Sequence, residues 1–207
     1  MSAISIMLIA FIFLCNKRGK IMKKVLSIDF DYFLDTDIDT REDKFPEGDE
    51  SIEPNWKYWC EKYPEINVIG VIDSYYKLLK FLKTQNPRKF LYADSHGEIA
   101  RLFDDFSDDM VIDHYDFHHD NWFGNSEVNC ANWVRRLKCK YPNAKVIWHY
   151  REDSITNALD GEFPYEKTLD DSYSGKYDII FMCFSPEWTP PHFRGYYKDL
   201  IRALEKK

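Results

Sequence analysis

From Lys23 onward, short apolar runs alternate with stretches of helical periodicity. KVLSIDF is nearly continuously apolar up to its aspartates and predicts a first strand; KFLYA, DMVIDHYDF, AKVIWHY and YDIIFMCFS predict four more. Between them, NVIGVIDSYYKLLKFLKTQ carries apolar residues at helical spacing and stops at Asn86-Pro87. SEVNCANWVRRLKCKY predicts a helix ended by Pro142, HGEIARLF a short helix, and GYYKDLIRALEKK a C-terminal one. Strands joined by helices predict a three-layer α/β/α fold with a mostly parallel sheet, as a single domain over residues 22–207. Ligands of such sheets sit outside the carboxyl ends of the strands. Polar residues collect there: Asp29 and Asp31 after the first strand, Asp94 and His96 after the second, His149 at the end of the fourth, and Ser185 to Glu187 after the fifth.

Two stretches fall outside the alternation. The acidic segment from Asp35 to Pro54 contains Pro46 and Gly48 and reads as a long loop. Near the start, ISIMLIAFIFLC is an apolar run ending at Cys15 and followed by Lys17, Arg18, Lys20, Lys23 and Lys24. It is shorter than the roughly 20 residues of a spanning helix, and its positive charges follow the run, whereas a cleaved signal carries them in front. It has three readings: a membrane anchor, a buried helix or strand, or an extension ahead of a domain that opens at Met22. The abrupt basic leader of MKKVLSIDFDYF favours the third, so residues 1–21 are read as an extension.

Composition narrows the function classes. An apolar content of 44% and an aromatic content of 17% suit a packed core, and a net charge of -7 argues against nucleic acid as a partner. The five cysteines are odd in number and form no C-x-x-C pair, which indicates neither a disulfide framework nor a zinc ribbon and favours a reducing, cytoplasmic setting.

The chemistry concentrates in MVIDHYDFHHDNW, which places three histidines and three aspartates between Asp113 and Asp120. Side chains alternate along a strand, so Asp116, His118 and Asp120 share one face if the strand runs through the motif, with His114 beside them as a supporting partner and His119 pointing away. Asp29 and Asp31 form a second pair at the same spacing. Four carboxylates around one cavity repel one another and take up protons unless a cation neutralises them, which points to metal. Carboxylates with imidazoles suit Mn²⁺, Fe²⁺ or Zn²⁺, and bridging carboxylates can hold two such ions. His192, after two prolines, reads as structural, and Asp104, Asp105, Asp108 and Asp109 as a solvated acidic turn.

These residues resemble a known family. DFHHD, as Asp116, His118 and Asp120, matches the Asp-x-His-x-Asp ligand motif of the arginase and deacetylase superfamily, and DSHGE resembles the earlier strand-end histidine of those enzymes. The likeness extends to small proteins related to peptide arginases, which turn arginine side chains of a peptide into ornithine. The resemblance implies two divalent ions, most simply Mn²⁺, with His96, Asp116 and Asp120 on one and His118 with Asp116 on the other. The family's Ser-x-Asp-x-Asp strand corresponds to SIDFD, which makes Asp29 bridging and Asp31 terminal. In arginases that strand follows the Asp-x-His-x-Asp strand; here it comes first, and the late strand FMCFSPEWTPP carries no aspartate. The implied reaction is attack of a metal-bridging hydroxide on a guanidinium carbon, giving urea and an amine, with a small-molecule or peptide substrate. Their positions after strands assign His149 as proton shuttle and Glu187, beside Trp188, as guanidinium anchor. Nearby alternatives are a deacetylase-like amide hydrolase and a non-catalytic metal-containing binding protein. VLSIDFDYFLDT also resembles the first motif of haloacid-dehalogenase-type phosphatases, with Asp29 as nucleophile, Asp31 as general acid and Mg²⁺ as cofactor.

Overall fold

Six parallel strands form one sheet in the order β2-β6-β1-β3-β4-β5. They are β1 (Lys24–Asp29), β2 (Lys89–Ala93), β3 (Val111–Tyr115), β4 (Lys145–His149), β5 (Glu166–Thr168) and β6 (Ile179–Cys183). The structure is a computed structural model that describes residues 22–37, 39–41, 55–122, 127–154, 156 and 166–205. The N-terminal extension and most of the acidic loop lie outside the described residues. No described helix is long and apolar enough to cross a membrane.

β1, β3 and β6 are buried along nearly their whole length, as expected of central parallel strands covered on both faces. One face packs against α1 (Trp56–Lys62), α2 (Asp73–Leu82) and α4 (Arg194–Glu205), with Leu26, Ile28, Tyr115, Ile180 and Met182 meeting Tyr75, Leu78, Tyr197 and Leu200. The other face packs against a 3₁₀ segment (His96–Asp105) and α3 (Trp133–Lys140), where Val25, Ile112, Val146 and Phe181 meet Ile99, Leu102, Trp133 and Leu137. The α/β/α layering read from the periodicity is therefore present, and the sheet is parallel throughout.

Four elements differ from expectation, the first being the helix predicted from Ser126, which starts at Trp133 after a stretch of turns. The helix predicted from Asn67 starts at Asp73, because Pro64–Val68 forms a 3₁₀ turn and Val71 bridges to Leu34. The third strand stops at Tyr115, so it does not carry Asp116 to Asp120. Finally, β5 adds an edge strand of three residues, exposed and too short to show a period.

Candidate metal centre

Asp29 is the last residue of β1 and caps the 3₁₀ turn Phe30–Phe33, its carboxylate accepting from the Asp31 amide at 3.3 Å. That turn separates the pair: Asp29 faces inward, toward the sheet face lined by α3, while Asp31 meets Arg41 and His118. Ser185 donates to Asp29 Oδ2 at 2.5 Å. Arg41 is buried, lies 3.8 Å over the Phe117 ring, donates to the Asp31 carbonyl at 2.7 Å and approaches Asp31 Oδ2 at 3.8 Å. Burial pulls the Arg41 pKa down to about 10, which still leaves it cationic at neutral pH. Burial pushes Asp31 upward, but His118 and Arg41 outweigh it and hold its carboxyl below the usual range.

Because β3 ends at Tyr115, a turn and not a strand arranges the Asp-x-His-x-Asp residues. His118 donates its amide to Asp116 Oδ1 at 2.8 Å, and Asp120 takes a left-handed backbone with φ 52°. Trp133 of α3 holds the returning Asp120, donating its indole N–H to Oδ2 at 2.6 Å. The only other non-glycine residue with positive φ among those described is Ser185, at 48°. Left-handed backbone costs an ordinary residue about 1–3 kcal/mol, so both sites of strain lie where carboxylates are being positioned.

His96 enters from the loop after β2, with its ring stacked between Trp133 and Phe181 at centroid distances of 5.1 and 5.3 Å. Its Nε2 meets Ser27 Oγ at 2.8 Å. Its Nδ1 lies 3.3, 3.1 and 3.2 Å from single oxygens of Asp29, Asp116 and Asp120. One N–H can serve one of these acceptors; a cation beside Nδ1 serves all three, with Ser27 fixing the proton on Nε2. His114 completes the inner group, its Nε2 at 3.5 Å from Asp116 Oδ2. The outer group is Asp31, Asp116 and His118, where His118 Nδ1 lies 3.1 Å from Asp31 Oδ2 and 3.8 Å from Asp116 Oδ1. Asp116 thus turns one oxygen to each group.

The electrostatics fit a bound cation. Burial and the charges of neighbouring aspartates push the Asp116 and Asp120 carboxyls well above the usual range, and burial beside His96 pushes His114 well below its own. Asp116 Oδ2, both oxygens of Asp31 and both ring nitrogens of His114 are buried and make no hydrogen bond. Buried polar groups left unsatisfied each cost about 1–3 kcal/mol, and here they converge on one region. Buried Asp and His clusters of this kind can hold a metal ion.

The structure brings Asp29, Asp31, His96, Asp116, His118 and Asp120 together, with β1 and β3 adjacent. It does not bring His149 to them. That ring lies on the opposite face of the sheet, stacked on Tyr115 at 3.9 Å, with Nε2 at 3.2 Å from Asp113 and Nδ1 at 2.6 Å from the Asp170 carbonyl. The strand-end position was right, but the alternation of β4 aims the side chain away, so the shuttle role is withdrawn. Glu187 sits half-buried in the turn after β6, next to Trp188, whose ring packs on His118 at 4.8 Å. His119 points away from the centre, packing against Trp122 and Trp148. Sequence reasoning passed over Arg41, Trp133 and Cys183 as site residues, and it noted Ser27 and Ser185 by position without giving them a role. Ser27 and Cys183 share the strand face of Asp29 and Phe181 and could have been found by counting in twos; Arg41 and Trp133 carry no such signal. Comparison of the chain with known protein families, with curated proteins and with solved structures finds no match.

Proposed function

We propose that this protein is a metal-dependent hydrolase of carbon–nitrogen bonds, arginase-like, acting on the guanidino group of arginine, free or within a peptide, to release urea and an amine. The observation that carries this reading is the carboxylate of Asp116, shared between an inner group with His96, His114 and Asp120 and an outer group with Asp31 and His118. Two divalent ions, Mn²⁺ by the resemblance, would lower the pKa of water toward neutrality and polarise the carbon under attack. The permuted strand order is no obstacle, because β1 and β3 are neighbours in register and deliver both aspartate pairs to one crevice.

The chain's own contribution is charge and access. His118 is the most accessible member, its side chain 32% exposed, and Trp188 packs over it to form one wall of the mouth. Glu187 precedes Trp188 in the same turn, and we assign it to hold the guanidinium through charge-assisted bonds. A phosphatase reading places the nucleophile at Asp29, but Ser185 and His96 occupy Oδ2, and no lysine among the described residues pairs with Asp29 or Asp31.

The test is metal analysis of the purified protein followed by two assays, urea release from arginine and arginine-containing peptides and phosphate release from a generic ester. Bound divalent metal with urea release supports the proposal. Magnesium-dependent phosphate release replaces it with the phosphatase reading, and bound metal with neither activity replaces it with a binding protein.

A further inference from the structure

We propose that Cys183 is a ligand of the inner half of the centre, so that the two halves differ in kind: an inner nitrogen, oxygen and sulfur site for a thiophilic ion such as Zn²⁺ or Co²⁺, and an outer oxygen-rich site for a harder ion such as Mn²⁺. This rests on the metal reading above, but not on the reaction assigned to it.

Cys183 ends β6 and pairs in register with Asp29. Two residues earlier on the same strand, Phe181 stacks under His96, so alternation puts the thiol at the next position on that face, beneath the same ring system. Cys183 is fully buried, and its Sγ lies with a His96 ring nitrogen and an Asp29 oxygen in a group whose members are all within 4.8 Å of one another. Ligand atoms on a tetrahedral zinc, at bond lengths of about 2.0–2.3 Å, sit roughly 3.3–3.8 Å apart, so closure by about 1 Å completes the set. An independent feature lies beside it: Asp116 Oδ2 and His114 Nε2, both buried and without a hydrogen bond, belong to a second such group that shares His96 with the first. The thiol is 3.5 Å from Ser185 Oγ, which in turn donates to Asp29. On ligation the S–H bond breaks, the sulfur keeps the electron pair for the metal, and the proton leaves to solvent.

Among the described residues no cysteine joins the outer group of Asp31, Asp116 and His118, which reaches solvent through His118. Thiolate selects zinc-like ions, whereas carboxylate-rich shells suit manganese and magnesium.

The full chain, stripped of metal, is titrated with Co²⁺. The first equivalent is expected to produce thiolate-to-cobalt charge-transfer absorption in the near ultraviolet, and X-ray absorption of the one-equivalent zinc form a sulfur shell at about 2.3 Å. Cys183→Ser should lose both signals, while a variant with Cys15, Cys60, Cys130 and Cys139 all changed to serine should keep them; the second variant decides the matter if Cys183→Ser does not fold. Cobalt bound with only nitrogen and oxygen neighbours, or a sulfur signal lost with the other four cysteines, overturns the assignment and leaves the metal-dependent hydrolase standing. A chain that binds no divalent ion overturns both.

Discussion

Replacing Asp116 with Asn is expected to stabilise the protein when metal is absent and to abolish its stabilisation by metal. Oxygens of Asp29, Asp116 and Asp120 each lie within 3.3 Å of His96 Nδ1. They are therefore separated by at most about 6.5 Å, where two full charges at an effective dielectric of about 20 repel by about 2.5 kcal/mol. Asparagine keeps the oxygen that accepts from the His118 amide, so the turn survives while the charge is lost. Because the fold holds the Asp116 carboxyl above its ordinary value, the native state binds more protons than the unfolded chain between those two values, and wild-type stability falls as pH rises through that window. The variant escapes this loss, so its advantage should grow as pH rises above the ordinary carboxyl range and reach about 2–3 kcal/mol where the wild-type carboxyl is ionised. In a chain of this size that is a rise in melting temperature of about 4–12 °C. Metal at a hundred times its dissociation constant adds about 2.7 kcal/mol to the wild type, and the variant, lacking the shared ligand, should gain far less. Scanning calorimetry of both proteins, with chelator and with Mn²⁺ or Zn²⁺, at pH 5, 6.5 and 8 measures all of this. A variant that is several kcal/mol less stable at pH 8 in chelator, beside a wild type indifferent to metal, would mean that Asp116 is a structural carboxylate and the reasoning is wrong.

Four further outcomes follow from the same geometry. Arg41→Leu strips Asp31 of its buried cation and should cost about 3–5 kcal/mol in urea denaturation of the metal-free protein at pH 7, less at low pH; Asp31 is held below the usual range, so its charge-dependent stability is present at neutral pH and lost as pH falls through its titration. Gly97→Ala places a methyl 2.9 Å from the Asn129 backbone, so a loss of about 1–3 kcal/mol and weaker metal binding through the displaced His96 are expected in calorimetry and metal titration. Trp133→Phe removes the indole donor to Asp120 and should weaken metal binding by about 10–100-fold with the fold retained by circular dichroism. His149→Asn should leave metal affinity unchanged while lowering stability by about 1–3 kcal/mol, because its ring joins Asp113 to the Asp170 carbonyl on the far side of the sheet.

The layering was legible because buried parallel strands and amphipathic helices write different periods into the chain, and β1, β3 and β6 are as apolar as their central places require. The short edge strand at Glu166–Thr168 was not, having too few residues and too little burial to carry a period. At the site, residue type was a better guide than geometry. Asp116, His118 and Asp120 converge, but through an amide-to-carboxylate turn and a left-handed Asp120, a conformation that counting along a strand cannot foresee. For the same reason Asp29 and Asp31 do not share a face: the strand ends at the first of them. His149 shows the converse error, since its place at a strand end was legible and its direction was not used. Tyr115 pairs with it in register and belongs to the cluster on the face opposite His114, which is where the His149 ring goes.

The order of strands explains why a chain that presents its aspartate pair first can still build this centre. After β1 the chain moves outward across β6 to reach β2, whereas after β3 it moves the other way to β4. The loops leaving β1 and β3 therefore diverge, and the crevice between their carboxyl ends stays open, the position at which ligands of open parallel sheets bind. Asp29 and Asp31 line one side of that crevice and Asp116 to Asp120 the other, while the return from β2 toward β3 passes over the inner face and carries His96 into it. β6 closes the remaining side with Cys183 and Ser185. What the centre needs is adjacency of β1, β3 and β6 in the sheet together with the segment after β2 that carries His96, and a connection order that preserves both supplies the same donors. Moving the chain termini by circular permutation into the loop before β3 should accordingly preserve metal stoichiometry, whereas disrupting the β1–β3 pairing, for example with Ile28→Pro, should abolish it.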